Sequence, residues 1–223
     1  LVLLFGVTIY RWCKADLSGA FTILVALVMI LVKIFPKILE SDFILWRMID
    51  RIAVVIYPIC LIISLWFTFY FDDSVEWMNK LNQAIGRRIG LQQGAYIERG
   101  FKFLGQNMFF VGAGIDAFGE RTPGIYNYVD NIYISLLLRY GILFCVVAIL
   151  LLTVTMYYCY QKKMRIWLWM LSLWALHGLF EDKMHLAYYN SLLLIVGQAI
   201  QNVDLSFIKF RKVLTQRRDR SKS

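Results

Sequence analysis

Long apolar runs separated by short polar segments set the pattern of this chain. The runs cover residues 17–35, 52–71, 132–160, 166–180 and 186–203. Runs of about 20 apolar residues match the hydrocarbon thickness of a bilayer, where backbone groups find no water and must pair within a helix. The pattern therefore predicts an all-α fold, a polytopic transmembrane helix bundle.

Two N-terminal segments complete the predicted helices. Residues 1–10 are apolar but cover only about half a bilayer at 1.5 Å per residue, so we read them as the cut end of a larger membrane protein. Residues 37–51 mix large apolar side chains with charges and predict a cytoplasmic interfacial helix. The prediction is about five full spans plus a truncated one.

The polar parts divide the chain into four regions. Residues 1–71 and 131–203 hold the predicted transmembrane helices, residues 72–130 form one long loop, and residues 204–223 form a basic tail. A basic end beside a span is typical of the cytoplasmic side. With the tail inside, counting spans places the long loop outside the membrane.

Composition supports a multi-pass protein of the plasma membrane with a cytoplasmic C-terminus. The chain is 60% hydrophobic, well above an ordinary soluble domain. Its net charge of +9 could indicate a nucleic-acid partner, but much of that charge lies in the tail. We therefore expect the lipid bilayer as a partner and no nucleic acid.

Residues typical of metal sites do not form a convincing set. The four cysteines are scattered without metal or redox spacing. His177, Glu181 and His185 are four residues apart, which suits a metal on a continuous helix, but the predicted helix ends near Glu181. We expect no metal, and either interfacial solvation or acid–base and substrate contacts for these side chains.

The long loop and the start of the span after it hold the candidate chemistry. Loops of this length are usually functional or disordered, and this one is rich in Gly, Tyr and Phe rather than in disorder-promoting residues. Asn131, Ser135 and Arg139 then follow at helical spacing. A cation below the membrane surface is costly, so Arg139 either faces protein, water or an anionic ligand, or snorkels to the outer headgroups.

Short motifs in this part of the chain resemble a known family in order and spacing over about residues 78–195. They are Asn82-Gln-Ala-Ile-Gly-Arg87, then Gly105, Tyr128-Val-Asp130-Asn131-Ile-Tyr133, Arg139-Tyr140-Gly141-Ile142, and Gly178-Leu-Phe-Glu181 followed by Asn190. They look like the Wzy-like bacterial polymerases of capsular polysaccharide, exopolysaccharide or O-antigen. The resemblance implies that this chain is the C-terminal half of such a protein.

The resemblance also implies an activity. Such enzymes transfer a growing glycan from its polyprenyl diphosphate carrier to the next lipid-linked repeat unit, outside the plasma membrane and without a metal or other cofactor. The implied partners are the polyprenyl-diphosphate-linked glycan and other capsule-assembly membrane proteins.

Site residues follow from the resemblance and from the chemistry of the step. A leaving diphosphate needs cations, for which the arginine fork is well suited, and an acceptor hydroxyl needs a base. The expected catalytic residues are Arg87, Asp130 and Glu181. The expected substrate-binding residues are Arg88, Arg99, Asn131, Tyr133, Arg139, His177 and His185. Because Arg88 follows Arg87, the position of the key arginine is ambiguous by one residue.

Other interpretations stay open on the sequence alone. The loop arginines could form local ion pairs on a solvated surface, for example Glu98 with Arg99. An O-antigen-ligase-like glycan transferase would share the architecture. A flippase or transporter of the lipid-linked glycan, or a non-catalytic scaffold, would also be compatible with the spans.

Overall fold

The computed structural model describes residues 16–35, 43–106, 129–182 and 194–202, and every regular element in these ranges is a helix. The helices are α1 (Asp16–Ile34), α2 (Ile44–Val54), α3 (Ile56–Tyr70), α4 (Glu76–Ala84), α5 (Arg88–Arg99), α6 (Ile132–Arg139), α7 (Gly141–Gln161), α8 (Arg165–His177) and α9 (Leu194–Asn202). The all-α class expected from the sequence is confirmed for these residues. The basic tail lies outside them.

Among the described helices, α7 alone is long and apolar enough to cross a membrane by itself. It has 21 residues, which at 1.5 Å per residue is about 32 Å, close to the thickness of a hydrocarbon core. Helices α2 and α3 meet the same requirement only as a pair, and they are bent by 62° at the break between them. The number of spans stays a prediction.

Pro58 does not mark the bend in this region, because the chain bends at Val55, between α2 and α3. Pro58 is the third residue of α3, where a helix has no internal acceptor for a backbone N–H. Its missing N–H therefore costs no hydrogen bond at that position, and α3 continues through it to Tyr70.

The predicted span over residues 132–160 is divided into two helices at Tyr140. The division is filled by residues 101–106, which we call the docked segment. The backbone N–H groups of Ile142 and Leu143, in the first turn of α7, donate to the carbonyls of Lys102 and Phe103 at 3.0 and 3.1 Å. These N–H groups have no acceptor within α7, and the docked segment provides their hydrogen-bond partners.

Two glycines allow this close approach. The N–H of Gln106 donates to the carbonyl of Arg139 at 3.0 Å, so Gly105 lies directly against the division between α6 and α7. Gly105 and Gly141 both have φ of +88°, and a Cβ on Gly105 would lie 2.5 Å from the Arg139 carbonyl oxygen. Larger residues would fit neither the backbone angle nor the space.

The predicted long loop thus begins with regular structure. It contains the two short helices α4 and α5 before the docked segment, and residues 107–128 lie outside the described part. Gln93 of α5 donates to the carbonyl of Phe71 at 2.8 Å, which ties the loop to the end of α3.

The main apolar core lies where α3, α6, α7 and α8 meet. Helix α6 is almost completely enclosed, with every side chain from Tyr133 to Leu138 buried. A buried ion pair joins α2 to α8 at a different place: Asp50 accepts from Arg165 Nε at 2.9 Å and from Trp169 Nε1 at 3.0 Å.

Candidate functional site

A left-handed turn between α4 and α5 positions Arg88. Gly86 and Arg87 have φ of +71° and +62°, and the side chain of Asn82 accepts from the N–H groups of Ile89 and Gly90 at 3.1 and 3.2 Å. Asn82 therefore supplies the acceptor that caps the first turn of α5. This turn separates two adjacent arginines: Arg87 is exposed, whereas Arg88 is partly buried.

Arg88 joins α5 to the segment that precedes α6 and to the segment that follows α8. Its Nε lies 3.2 Å from Asp130 Oδ2, and its Nη1 donates to the carbonyl of Phe180. The Arg88 side chain keeps 27% of its surface exposed, so an incoming ligand could reach it.

A second arginine, Arg139 at the end of α6, extends towards the residues around Arg88. Arg139 Nη2 lies 3.5 Å from Asp182 Oδ2, and the Asp182 side chain is only 4% exposed. Helical side chains lean towards the N-terminus of their helix, which carries the Arg139 guanidinium back along α6.

Three carboxylates complete the cluster. Oxygens of Asp130, Glu181 and Asp182 lie within 4.8 Å of one another. Oxygen ligands of this kind are those that divalent cations such as Ca²⁺ and Mg²⁺ prefer. In the described residues, however, Asp130 and Asp182 each contact an arginine, and Glu181 makes no ion pair. We call Arg88, Asp130, Arg139, Glu181 and Asp182 the arginine–carboxylate cluster.

A glycine in the turn after α8 allows the carboxylates to meet. The N–H of Ile132 donates to the carbonyl of Gly178 at 2.9 Å, and a Cβ on Gly178 would lie 2.6 Å from Ile132 Cγ2. This contact places the residues that follow Gly178 beside the start of α6. Glu181 and Asp182 thereby come close to Asp130.

Asn131 has a structural role in this arrangement. Its side-chain oxygen accepts from the N–H groups of Tyr133 and Ile134 at 3.0 and 3.1 Å, which caps α6, and its amide donates to Ser64 Oγ at 3.0 Å. Asn131 is buried, so these contacts account for its amide oxygen and nitrogen within the protein.

Tyr133 likewise points into the core. Its side chain is 1% exposed, and its hydroxyl donates to the carbonyl of Ala175 at 2.8 Å. The substrate contact expected for Tyr133 has no counterpart in this geometry, because the ring is buried among apolar side chains and the hydroxyl is paired between α6 and α8.

The remaining predicted residues are spread over the structure. Arg99 lies at the other end of α5, 11 positions from Arg88 and so roughly 16 Å away along the helix, and it pairs with Glu98 at 2.9 Å. That local ion pair was one of the alternatives open from the sequence. His177 ends α8, partly buried and within electrostatic reach of Arg88. His185 lies outside the described residues.

A small cavity of about 80 Å³ lies beside Arg88. Apolar side chains such as Phe67, Ile89 and Phe180 line most of it, and Asn131 supplies a polar edge. The cavity therefore puts an apolar wall next to the Arg88 guanidinium.

Sequence reasoning missed Asp182, the most buried acid of the cluster. The sequence did contain an indication of this residue, since Asp182 directly follows Glu181 at the end of an apolar run. It also missed Ser64, which lies within the apolar run of α3 and carries no chemical motif.

Comparisons of this chain with protein-family models, with curated proteins and with solved structures gave no match. Its fold and site alone define its class: in the described residues it is an all-helical protein with one helix of membrane-spanning length and a cluster of arginines and carboxylates around α6, the short helix that precedes it.

Proposed function

We propose that this chain acts as a membrane glycosyltransferase of the polysaccharide polymerase type. It joins polyprenyl-diphosphate-linked oligosaccharide repeat units into capsular polysaccharide or exopolysaccharide on the outer face of a bacterial plasma membrane. The arginine–carboxylate cluster carries the proposal. Three separate stretches that resemble the family's motifs contribute to it, namely the Arg87–Arg88 turn, Asp130–Arg139 and the residues that end at Glu181.

The proposed arrangement is a polytopic bundle in which α7 spans the bilayer. Lys162, Lys163 and Arg165 follow the end of α7, and basic residues favour the cytoplasmic side. Arg139 ends α6, and Tyr140 alone separates it from the start of α7, so the cluster lies towards the outer surface. A lipid-linked diphosphate would present its charge at that depth.

In the proposed reaction the arginines bind the diphosphate of the donor. Arg88 and Arg139 keep 27% and 26% of their side-chain surfaces exposed, so each can contact phosphate. Arginine binds phosphate through two parallel hydrogen bonds and stays charged. Charge builds up on the diphosphate as its bond to the sugar breaks, and fixed cations stabilise that charge.

Glu181 is the proposed base for the acceptor hydroxyl. The hydroxyl oxygen attacks the anomeric carbon of the donor glycan, its proton passes to the carboxylate, and the electron pair of the broken bond leaves with the diphosphate. Glu181 suits this task because, among the described residues, it makes no ion pair that would hold its oxygens. Asp130, in contrast, serves to orient Arg88.

The two adjacent arginines provide the test. Arg88→Ala should lower polymer yield by about 10²–10³-fold, the usual effect of losing one preorganised charge-stabilising group, and should leave single repeat units on the carrier. Arg87→Ala is the matched control, because Arg87 is exposed on the same turn, and it should retain normal polymer. Gel analysis of glycan length on whole cells measures both.

Other results would assign a different function. Normal chain length in Arg88→Ala would contradict the proposal. Full-length polymer retained on the carrier would indicate a ligase. Repeat units confined to the inner leaflet would indicate a transporter.

A further inference from the structure

The middle of the docked segment, Phe103 and Leu104, forms an exposed apolar tip. Phe103 is 63% exposed and Leu104 is 76% exposed, although each has a large hydrophobic side chain. A tip of this kind in contact with water is unfavourable, and contiguous exposed apolar surface marks an interaction site.

The tip adjoins the exposed face of α7. The N–H of Leu143 donates to the carbonyl of Phe103, so the tip lies beside the first turn of that helix. The exposed apolar surface then continues along α7 through Leu143, Phe144, Val147 and Leu150. The 21 residues of α7 include no charged side chain.

Non-helical backbone can lie in hydrocarbon only when its polar groups are paired within the protein. Three backbone groups of the docked segment are paired in this way at the division between α6 and α7. The carbonyls of Lys102 and Phe103 accept from the first turn of α7, and the N–H of Gln106 donates to Arg139. Gly105, against the Arg139 carbonyl, makes these short approaches possible.

We propose that the docked segment inserts its Phe103–Leu104 tip into the outer leaflet of the bilayer, beside the start of α7. The occupant of this surface is lipid hydrocarbon, because the tip extends the apolar face of the helix whose length matches the bilayer. Exposed Lys102, next to the tip, fits a headgroup phosphate. This inference rests on α7 spanning the membrane, as proposed above.

Insertion of the tip determines the depth of the arginine–carboxylate cluster in the bilayer. Phe103 of the tip accepts a hydrogen bond from Leu143 in the first turn of α7, and Arg139 ends α6 shortly before that turn. Arg139 and Asp182 would therefore lie at the level of the lipid headgroups. That is where the charge of a lipid-linked phosphate is found.

Photocrosslinking in native membranes tests the inference. A benzophenone amino acid replaces Leu104 in one protein, Leu150 on the exposed face of α7 in a second, and Gln83 on exposed α4 in a third. All three positions are exposed, so the replacements leave the packing of the core unchanged. We expect position 104 to form lipid adducts at a level similar to position 150 and at least tenfold above position 83, by mass spectrometry.

Two kinds of failure can be told apart. Lipid adducts at position 150 with none at position 104 overturn the inference alone. Crosslinks from position 104 to residues 107–128 or to a second copy of the chain do the same, because the tip would then be covered by protein. Absence of lipid adducts at position 150 overturns the membrane span of the proposed function as well.

Discussion

At the scale of single residues, the turn before α5 decides which arginine enters the cluster. Gly86 and Arg87 adopt left-handed backbone angles, and the next residue begins the helix. Arg87 lies before the helix in a left-handed conformation and Arg88 is the first helical residue, so the two side chains leave the backbone in different directions. The sequence offers two equivalent side chains, and only the geometry of the turn separates them.

Asn131 illustrates how a motif residue can have a capping role. Asn131→Ala should lower the free energy of unfolding by about 1–2 kcal/mol, because the first turn of α6 loses its acceptor. Asn131→Ser should recover most of that loss, since serine is also a preferred N-cap residue. Thermal unfolding in detergent measures both variants. An Asn131→Ala protein as stable as the parent yet inactive would argue for a substrate contact instead.

At the scale of elements, the division of the long apolar run at Tyr140 is the main departure from the predicted spans. Apolar periodicity continues across residues 132–160, so nothing in the pattern requires an interruption. The interruption depends on a segment about 35 positions earlier in the chain, which pairs with the start of α7. Gly105 and Gly141 were visible as motif residues, but their contact with each other was not.

This division predicts different effects for two glycines. Gly105→Ala should destabilise the protein by about 1–3 kcal/mol, because alanine would have to adopt φ of +88° against the Arg139 carbonyl. Gly94→Ala, in the interior of α5 with open space around it, should be neutral or stabilising by about 0.5–1 kcal/mol. Thermal unfolding of both variants in the same detergent makes the comparison. Equal effects at the two positions would argue against the docked segment.

At the scale of the whole molecule, polar groups gather towards opposite ends of α7. Arg139 of the arginine–carboxylate cluster lies before its start, and Arg165, which pairs with Asp50, follows its end. The latter contact joins residues 37–51, predicted to lie on the cytoplasmic side, to residues 162–165, whose basic side chains favour the same side. The pairing is consistent with that placement, although the orientation itself stays a prediction.

Cysteine labelling of intact cells tests the orientation. Glu76→Cys, on exposed α4, should react with a membrane-impermeant maleimide added outside the cells. Lys162→Cys, after α7, should react only once the membrane is permeabilised. The parent protein provides the background, and its three described cysteines are buried. The reverse pattern would place the cluster in the cytosol, where the proposed donor could not reach it.

Local pattern was sufficient for the helical class and for a long apolar helix within the run of residues 132–160. These properties depend on hydrophobicity and spacing over neighbouring residues, which a sequence displays directly. The partners of Arg88 and Arg139, the burial of Tyr133 and the division at Tyr140 depended on the tertiary structure. Phe180 is 92 positions from Arg88, and Asp182 is 43 positions from Arg139. Contacts over such separations exist only once α3, α6, α7 and α8 have packed, because packing alone determines which distant side chains share a space.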